Sequence, residues 1–236
     1  RWYSLAYIFG LIFGWIYCKK LLIKENIIQK LFEDYISYLI IGIIIGGRLG
    51  YVLFYNFLYF LNNPIEIFMI WNGGMSFHGG LIGIVISSYL FSKKNKKNIY
   101  IFLDLVAITA PIGIFLGRVS NFINGELVGK VTSSEWGVFF PSYDDKLRHP
   151  SQLYEAFLEG IILFILMNII FFSKNNKVGT CSFMFLILYG FFRIISEFFR
   201  EPDVQLGYLF GSISMGMFLS AFMIIAGVII YFKKKE

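Results

Sequence analysis

Apolar segments close to the length of a membrane-spanning helix recur along this chain, and they constrain the fold more than any other feature. A helix needs about 20 apolar residues to cross the hydrocarbon core of a bilayer. We expect spans at about Tyr3–Cys18, Tyr35–Phe60, Phe77–Phe91, Ile99–Leu116, Gln152–Phe172, Thr180–Phe199 and Leu209–Phe232. Hydrophobic residues make up 57% of the chain and charged residues 15%, a balance that a water-soluble core could not hide. The sequence therefore predicts an all-α, polytopic integral membrane protein with about seven transmembrane helices, folded as a single transmembrane domain over residues 1–236.

Lysines lie in alternate loops between these spans, and this predicts the orientation of the chain. The loops after the first, third and fifth spans and the C-terminal tail contain Lys19, Lys20, Lys24, Lys30, Lys93, Lys94, Lys96, Lys97, Lys174, Lys177, Lys233, Lys234 and Lys235. The opposite loops contain only Lys130 and Lys146. Because cytoplasmic loops carry the excess of lysine, we expect a cytoplasmic C-terminus and an N-terminus outside. The same lysines explain the net charge of +6, so nucleic acid is not an expected partner.

The arginines follow a different distribution from the lysines. None of the six lies in a lysine-rich loop, and all fall in outer loops, at the outer ends of spans or inside spans. The planar guanidinium group can hold a phosphate or carboxylate through two parallel bonds, which an ammonium group cannot. This segregation favours a site for an anionic ligand.

Several ionisable residues fall inside the predicted spans, where each is costly unless it is paired or hydrated. They are Arg48, Asp104, Glu155, Glu159, Arg193 and Glu197. Glu155 and Glu159 are four residues apart and share a helix face, as do Arg193 and Glu197. The two neighbouring glutamates would repel each other, so we expect a cation or a shared proton beside them. A purely structural salt-bridge network and a functional site are both open interpretations of these residues.

The stretch GRVSNFINGELVG, residues 117–129, directly follows the fourth predicted span and is too polar to continue in lipid. Its glycines permit tight turns and a close approach of backbone to a ligand. Non-helical backbone at membrane depth is tolerated only inside the protein or beside a wet cavity. We therefore expect a polar pocket at the outer leaflet, in which Arg118 is available to an anionic headgroup and Asn121, Asn124 and Glu126 offer hydrogen-bond donors and acceptors beside it. A glycine-rich surface loop is the alternative.

His78 lies in the stretch WNGGMSFHGGLIG, between two glycine pairs at the outer end of the third span. A histidine can titrate near neutral pH and act as a base, although a hydrogen-bonded structural histidine is the alternative. The other histidine, His149, lies beside Pro150 and is expected to have a local structural role. The two histidines and two cysteines show no metal-ligand spacing, so we expect neither a metal nor a cofactor. Hydrolase and nucleotide-binding motifs are also absent from the sequence.

Five stretches together carry a resemblance to a known family. RWYSLAY, WNGGMSFHGGLIG, GRVSNFINGELVG, RHPSQLYEA and FFRIISEFFREPD recur in this order in bacterial prolipoprotein diacylglyceryl transferases. The resemblance extends from Arg1 to Asp203. It implies a seven-span enzyme of the bacterial inner membrane with its N-terminus outside and its active site toward the outer leaflet. The implied reaction moves the diacylglyceryl group of phosphatidylglycerol to the lipobox cysteine thiol of a prolipoprotein signal peptide and releases glycerol 1-phosphate, without metal or nucleotide.

The resemblance also implies roles for individual residues. Arg118 matches the family's phosphatidylglycerol-binding arginine, and Asn121, Glu126 and Gly129 belong to the same motif. Arg193 matches a second essential arginine, which Glu197 and Arg200 follow. His78 matches the histidine of an HGG motif, and Tyr3 matches an N-terminal tyrosine. We expect catalytic roles for His78, Arg193, Glu197 and Tyr3, and phosphatidylglycerol binding by Arg118, Asn121, Glu126, Gly129 and Arg200.

Two other functions compete with this interpretation. A transporter or channel with an arginine-lined anion site would show inverted repeats and matched broken helices in its two halves, and we find no such symmetry in the sequence. A transferase that acts on another anionic lipid would need Mg²⁺ held by clustered aspartates. Asp104 stands alone in its span, and Asp144 and Asp145 lie in a loop. Phosphatidylglycerol, the lipobox peptide and membrane lipids are therefore the expected partners.

Overall fold

The computed structural model describes residues 2–24, 26–174, 176–202, 208–209 and 211–235, excluding the side chains of residues 2–4, 7, 26, 208, 234 and 235. Its α-helices are α1 (Trp2–Tyr17), α2 (Asn26–Phe54), α3 (Phe57–Asn62), α4 (Phe77–Lys94), α5 (Ile99–Asn124), α6 (Ser151–Glu155), α7 (Leu163–Phe172), α8 (Thr180–Glu197) and α9 (Met215–Lys235). A π-helix, Ala156–Ile162, joins α6 to α7. A second π-helix, Cys18–Leu22, follows α1, and two 3-10 helices, Pro64–Phe68 and Ile70–Asn72, precede α4. The described residues also form two short antiparallel hairpins, β1 (Val138–Phe140) with β2 (Asp144–Arg148) and β3 (Tyr208–Leu209) with β4 (Ile213–Ser214).

The helices confirm a mainly helical, multi-pass membrane protein. Within the described residues, five helical segments are long and apolar enough to cross a membrane, namely Ile27–Phe54, Ile99–Asn124, Ser151–Phe172, Thr180–Glu197 and Met215–Lys233. Helices α1 and α4 are 16 and 18 residues long, and they do not belong to this set. The predicted total of seven spans therefore stays a prediction, as does the expected tilt of the third.

Three predicted helix boundaries were wrong. The fourth span was expected to end at Leu116, but α5 continues to Asn124, so residues 117–124 of the polar stretch 117–129 are helical rather than irregular. The second span was expected to reach Phe60, but α2 ends at Phe54 and a separate short helix, α3, follows. The last span was expected to begin at Leu209, where the structure instead forms the β3–β4 hairpin before α9.

The contacts divide the chain into two compact units, residues 23–103 and residues 1–22 with 104–236. Whether residues 1–236 act as the predicted single domain stays a prediction. In the unit of residues 23–103, α2 packs against α4 through glycines. An ideal Cβ on Gly50 would lie 2.7 Å from the Cα atom of Gly79, so the two backbones approach too closely for any larger side chain there.

Arg48 organises the connection between α2 and α4. Its Nε atom donates to the carbonyl of Ile67 at 2.9 Å, and its Nη1 atom donates to the carbonyls of Gly73 and Gly74 at 2.5 and 3.0 Å. Its Nη2 atom donates to the carbonyl of Glu66 at 2.5 Å. Arg48 therefore satisfies backbone acceptors of an irregular segment, which gives this buried arginine a structural role.

In the other unit, α8 packs against α9, and Asp104 of α5 holds the start of α8. The Asp104 carboxylate accepts hydrogen bonds from the backbone N–H of Gly179 at 2.5 Å, the backbone N–H of Ser182 at 2.8 Å and the hydroxyl of Ser182 at 2.6 Å. The first N–H groups of a helix lack partners within the helix, and the end of the helix dipole there favours an anion. Of the two interpretations left open for Asp104, these contacts support the structural one.

Candidate active site

Arg118 of α5 lies beside two carboxylates of the next transmembrane segment. Its Nε atom forms an ion pair with Glu155 Oε2 at 2.8 Å, and its Nη2 atom donates to Glu159 Oε2 at 3.3 Å. Both glutamate side chains are 0% exposed, whereas that of Arg118 is 16% exposed. The described contacts of Arg118 use Nε and Nη2, and none of them uses Nη1.

Arg193 of α8 pairs with the same two glutamates. Its Nη1 atom lies 2.9 Å from Glu155 Oε1 and 3.6 Å from Glu159 Oε1. Its Nη2 atom donates to Glu197 Oε1, one helical turn further along α8. Arg200 adds a third guanidinium, since its Nη1 atom donates to Glu155 Oε1 at 3.2 Å. We call these six residues, Arg118, Glu155, Glu159, Arg193, Glu197 and Arg200, the charged cluster.

The charged cluster confirms the expectation that a cation lies beside Glu155 and Glu159. Three arginines face three glutamates, so the cluster balances if all six groups are ionised. A buried ion pair gains little net stability, but removing one partner leaves an uncompensated charge and costs about 3–5 kcal/mol. The cluster holds the guanidinium groups of Arg118 and Arg193 in fixed positions within a membrane segment, and both side chains retain some exposure.

Local backbone geometry places the two glutamates. Glu155 ends α6, and Glu159 lies within the π-helix that follows. Single π-turns inside helices are rare and are frequent at functional sites. Gly160 of this π-helix allows α5 to approach, because an ideal Cβ at that position would lie 3.1 Å from the Cα atom of Phe115.

The end of the GRVSNFINGELVG stretch folds back onto α5 and α6. Gly125 adopts a φ of +67°, a conformation that suits glycine, and the next backbone N–H, that of Glu126, donates to the carbonyl of Asn121 at 3.0 Å. The Glu126 carbonyl accepts from Nε2 of Gln152 at 2.7 Å. Asn121 is buried and Glu126 is exposed. These bonds hold Asn121 and Glu126 next to Gln152, which lies three residues before Glu155 in α6.

Gly129 lies where three chain segments meet. Its N–H donates to the carbonyl of His149 at 3.1 Å, and the neighbouring Lys130 N–H donates to the carbonyl of Phe199 at 2.9 Å. An ideal Cβ on Gly129 would lie 2.8 Å from both the Cβ atom of His149 and the carbonyl oxygen of Phe199. A glycine is therefore required for this close packing. Phe199, whose carbonyl takes part in it, directly precedes Arg200. The hydrogen bonds of His149 at this junction are backbone contacts, so the expected structural role of its side chain stays a prediction.

Arg148 supports the same junction from the β1–β2 hairpin. Its Nη1 atom donates to the carbonyl of Gly129 at 2.9 Å, and its Nη2 atom donates to Asp144 Oδ2 at 2.7 Å. Hydrogen bonds from Arg148 hold the pKa of the Asp144 carboxyl below its ordinary value. The same bonds raise the pKa of Arg148. This pair lies outside the membrane-spanning helices and stabilises the connection on which Gly129 depends.

The structure brings several of the predicted site residues together. Arg118, Arg193, Glu197 and Arg200 belong to the charged cluster, and Asn121, Glu126 and Gly129 lie in the segment that leads from it. His78 lies in the first turn of α4, in the other unit, half-buried and with its ring edge-on to Phe77 at 5.5 Å between centroids. The side chain of Tyr3 lies outside the described residues.

Sequence patterns assigned no site role to Glu155, Glu159 or Ser214. The spacing of the two glutamates in a span was a signal, but it left a structural network equally open. Ser214 Oγ donates to Glu197 Oε2 at 2.8 Å, and no sequence pattern that we considered pointed to it. Among the described residues, no group of three or more histidine, cysteine, aspartate or glutamate side chains could hold a metal ion.

Comparison with known proteins decides the family. The family model for prolipoprotein diacylglyceryl transferase matches residues 1–233. The chain belongs to the prolipoprotein diacylglyceryl transferase family. The five stretches that carried the resemblance thus lie within a match that covers almost the whole chain.

Relatives in this family share about half of their residues with the chain. It is 50% identical over 236 residues to the phosphatidylglycerol–prolipoprotein diacylglyceryl transferase of Rickettsia bellii (strain OSU 85-389), a match that covers 98% of this chain and 90% of the relative. It is 52% identical over 230 residues to the enzyme of the same name from Rickettsia typhi (strain ATCC VR-144 / Wilmington), covering 96% and 89%. The enzyme of that name from Ehrlichia canis (strain Jake) is 52% identical over 231 residues, covering 96% and 88%.

Proposed function

We propose that this protein transfers the diacylglyceryl group of phosphatidylglycerol to the lipobox cysteine thiol of prolipoproteins. The family match over residues 1–233 is the observation that carries this proposal. Relatives at about 50% identity bear the name phosphatidylglycerol–prolipoprotein diacylglyceryl transferase. The partners are accordingly phosphatidylglycerol, the lipobox segment of a signal peptide and the surrounding membrane lipids.

The reaction forms one bond and breaks one. The cysteine sulfur attacks the glyceryl carbon that carries the phosphate ester, and the carbon–oxygen bond to the phosphate breaks with its electrons on oxygen. A thioether-linked lipid and glycerol 1-phosphate result, and the thiol proton passes to a base and finally to water or the released phosphate. Because a free thiol has a pKa of about 8.5, this proton must be removed for efficient attack.

Arg118 is the group that we assign to the lipid phosphate. Its Nε and Nη2 atoms are held by Glu155 and Glu159, which fixes the plane of the guanidinium. Because the side chain is still 16% exposed, its Nη1 atom is the one that we assign to the anion. We assign Arg193 to the negative charge that develops on the leaving phosphate or on the thiolate. Fixed cations at such a position stabilise the transition state without reorganisation. Asn121, Glu126, Gly129 and Arg200 support this headgroup site.

His78 is the group that we assign to proton removal, with Glu197 and Tyr3 as further catalytic residues. A histidine near neutral pH can take a thiol proton, and its position in the first turn of α4 leaves the ring half-buried. A fully active His78→Asn or His78→Gln enzyme would overturn this assignment.

We place the protein in the bacterial inner membrane with its N-terminus outside and its site toward the outer leaflet. The alternation of lysine-rich and lysine-poor loops supports this orientation. The GRVSNFINGELVG stretch and the outer end of α8 then face the same side, with a polar cavity for the headgroup.

A reconstituted assay tests the proposed function. Purified protein is mixed with phosphatidylglycerol and a lipobox peptide in the presence of EDTA, and release of glycerol phosphate is followed. We expect release that requires the peptide cysteine and falls by about 100-fold in Arg118→Gln, since a lost interaction with a charged group is worth about 3 kcal/mol. A peptide with serine in place of cysteine is the substrate control. Folded protein that releases nothing would refute the transferase proposal, and anion binding by that protein would favour the transporter alternative.

A further inference from the structure

Ser214, the last residue before α9, contacts Glu197, the carboxylate that pairs with Arg193. Ser214 Oγ donates to Glu197 Oε2 at 2.8 Å and accepts from the backbone N–H of Met217 at 3.1 Å. The hydroxyl thus caps α9 and orients the carboxylate at the same time. Ser214 and Glu197 are each 5% exposed, and at such low exposure a hydrogen bond to a charge is strong.

Gly216, two residues into α9, gives the carboxylate its space. An ideal Cβ on Gly216 would lie 2.7 Å from Cδ of Glu197, closer than real side chains approach. The N-terminus of a helix also carries partial positive charge, and α9 extends for 21 residues. The Glu197 carboxylate therefore lies directly against the N-terminus of α9, between the hydroxyl of Ser214 and the backbone of Gly216.

Arg193 depends on this arrangement for its orientation. Its Nη1 atom pairs with Glu155 and Glu159, and its Nη2 atom donates to Glu197. Two of its nitrogens are therefore held from different helical segments, which fixes the plane of the guanidinium. If Glu197 rotated away, Nη2 would lose its acceptor and the plane would be free to tilt.

We propose that Ser214 and Gly216 are positioning residues for the transfer reaction, because they fix Glu197 and Glu197 in turn orients the guanidinium of Arg193. This inference rests on the proposed function, in which Arg193 stabilises charge that develops in the transition state. An interaction used only in the transition state changes kcat and leaves KM largely unaltered.

Three variants in the full-length protein separate positioning from simple packing. Ser214→Ala removes the hydroxyl, Ser214→Thr retains it, and Ser220→Ala removes a buried hydroxyl further along α9, where the carbonyl of Ser220 faces Gly190 of α8. We expect Ser214→Ala to lower kcat by about 10- to 100-fold, because hydrogen bonds to charged groups are worth this much. KM for phosphatidylglycerol should stay within about twofold, Ser214→Thr should recover most of the activity, and Ser220→Ala should match the wild type.

A second set of variants asks whether the effect passes through Glu197. Ser214→Ala should have little further effect on kcat in a Glu197→Gln background, since the two residues act as one unit. Gly216→Ala should lower kcat as Ser214→Ala does, because the added methyl group displaces the carboxylate. Thermal unfolding midpoints, measured on the same samples, show whether each variant is folded.

The outcomes distinguish a failure of the proposed function from a failure of the positioning role alone. A wild-type enzyme that transfers no lipid would refute the proposed function, and this inference with it. An active wild type in which Ser214→Ala changes only the unfolding midpoint would overturn the positioning role alone. Additive effects of Ser214→Ala and Glu197→Gln would overturn it as well.

Discussion

Glu155 is the residue whose removal should most disturb the charged cluster. It lies 2.8 Å from Arg118 Nε, 2.9 Å from Arg193 Nη1 and 3.2 Å from Arg200 Nη1, and its side chain is 0% exposed. Glu155→Gln keeps the shape of the side chain and removes its charge. Three guanidinium groups would then face two carboxylates in a membrane segment, where an unpaired charge is costly.

The size of the effect follows from the cost of an unpaired buried charge, about 3–5 kcal/mol. For a chain of 150–250 residues, 1 kcal/mol moves the unfolding midpoint by about 2–4 °C. Glu155→Gln should therefore lower the midpoint by about 6–20 °C. Additional replacement of Arg200 by glutamine should recover part of this loss, because the cluster would again be balanced.

The protein's own cysteines provide the assay. Cys18 and Cys181 are free and buried, with 1% and 0% exposure, so a maleimide dye that fluoresces on thiol addition reports unfolding in detergent. Glu135→Gln, at an exposed position, is the matched control and should leave the midpoint unchanged. A midpoint for Glu155→Gln within about 1 °C of the wild type would refute the claim that all three arginines depend on this carboxylate.

Two further predictions concern aspartates outside the charged cluster. Asp104→Asn should destabilise the protein by about 1–3 kcal/mol in the same dye assay, because it removes the charge that caps α8, whereas the exposed Asp145→Asn should have no effect. Because Arg148 lowers the pKa of Asp144, the pair stabilises the folded state above the unfolded-state pKa of about 4, and this stability is lost as the pH falls through the lower folded-state pKa. Unfolding midpoints of Asp144→Asn between about pH 3 and 6 should therefore depend less on pH than those of the wild type; equal slopes would contradict this linkage.

Much of the charged cluster could be predicted from sequence because charge is costly in lipid. Glu155 and Glu159 needed a cation or a shared proton beside them, and the arginines of neighbouring spans were the available cations. Which arginine meets which carboxylate could not be predicted, since it depends on how α5, α6 and α8 pack. The double contact of Ser214 was also hidden, because an isolated serine before an apolar run indicates a helix cap and nothing about a distant carboxylate.

The wrong boundaries have a related cause. The polarity of residues 117–124 suggested that the helix must end at Leu116, yet α5 continues because Glu155 and Glu159 neutralise Arg118. Polarity counted residue by residue along α5 does not include the two carboxylates that a later segment of the chain brings to Arg118. At the other end of the chain, Leu209 and Ile213 are apolar enough for a span, but they pair across a hairpin with Gly211 at a φ of +83°.

The distribution of the charged cluster along the chain has a consequence for biogenesis. Arg118 lies on α5, which is synthesised before the glutamates of the α6–α7 segment, and Arg193 and Glu197 follow later on α8. A charge alone at the centre of a membrane helix costs about 2.5–3.5 kcal/mol during insertion, and this cost is smaller toward the helix end, where Arg118 lies. The half-made chain therefore holds an uncompensated arginine, and its neutralisation waits until the later helices enter the bilayer. Insertion of these segments is thereby coupled to their assembly, and a nascent chain that stops before α6 lacks both carboxylates with which Arg118 pairs.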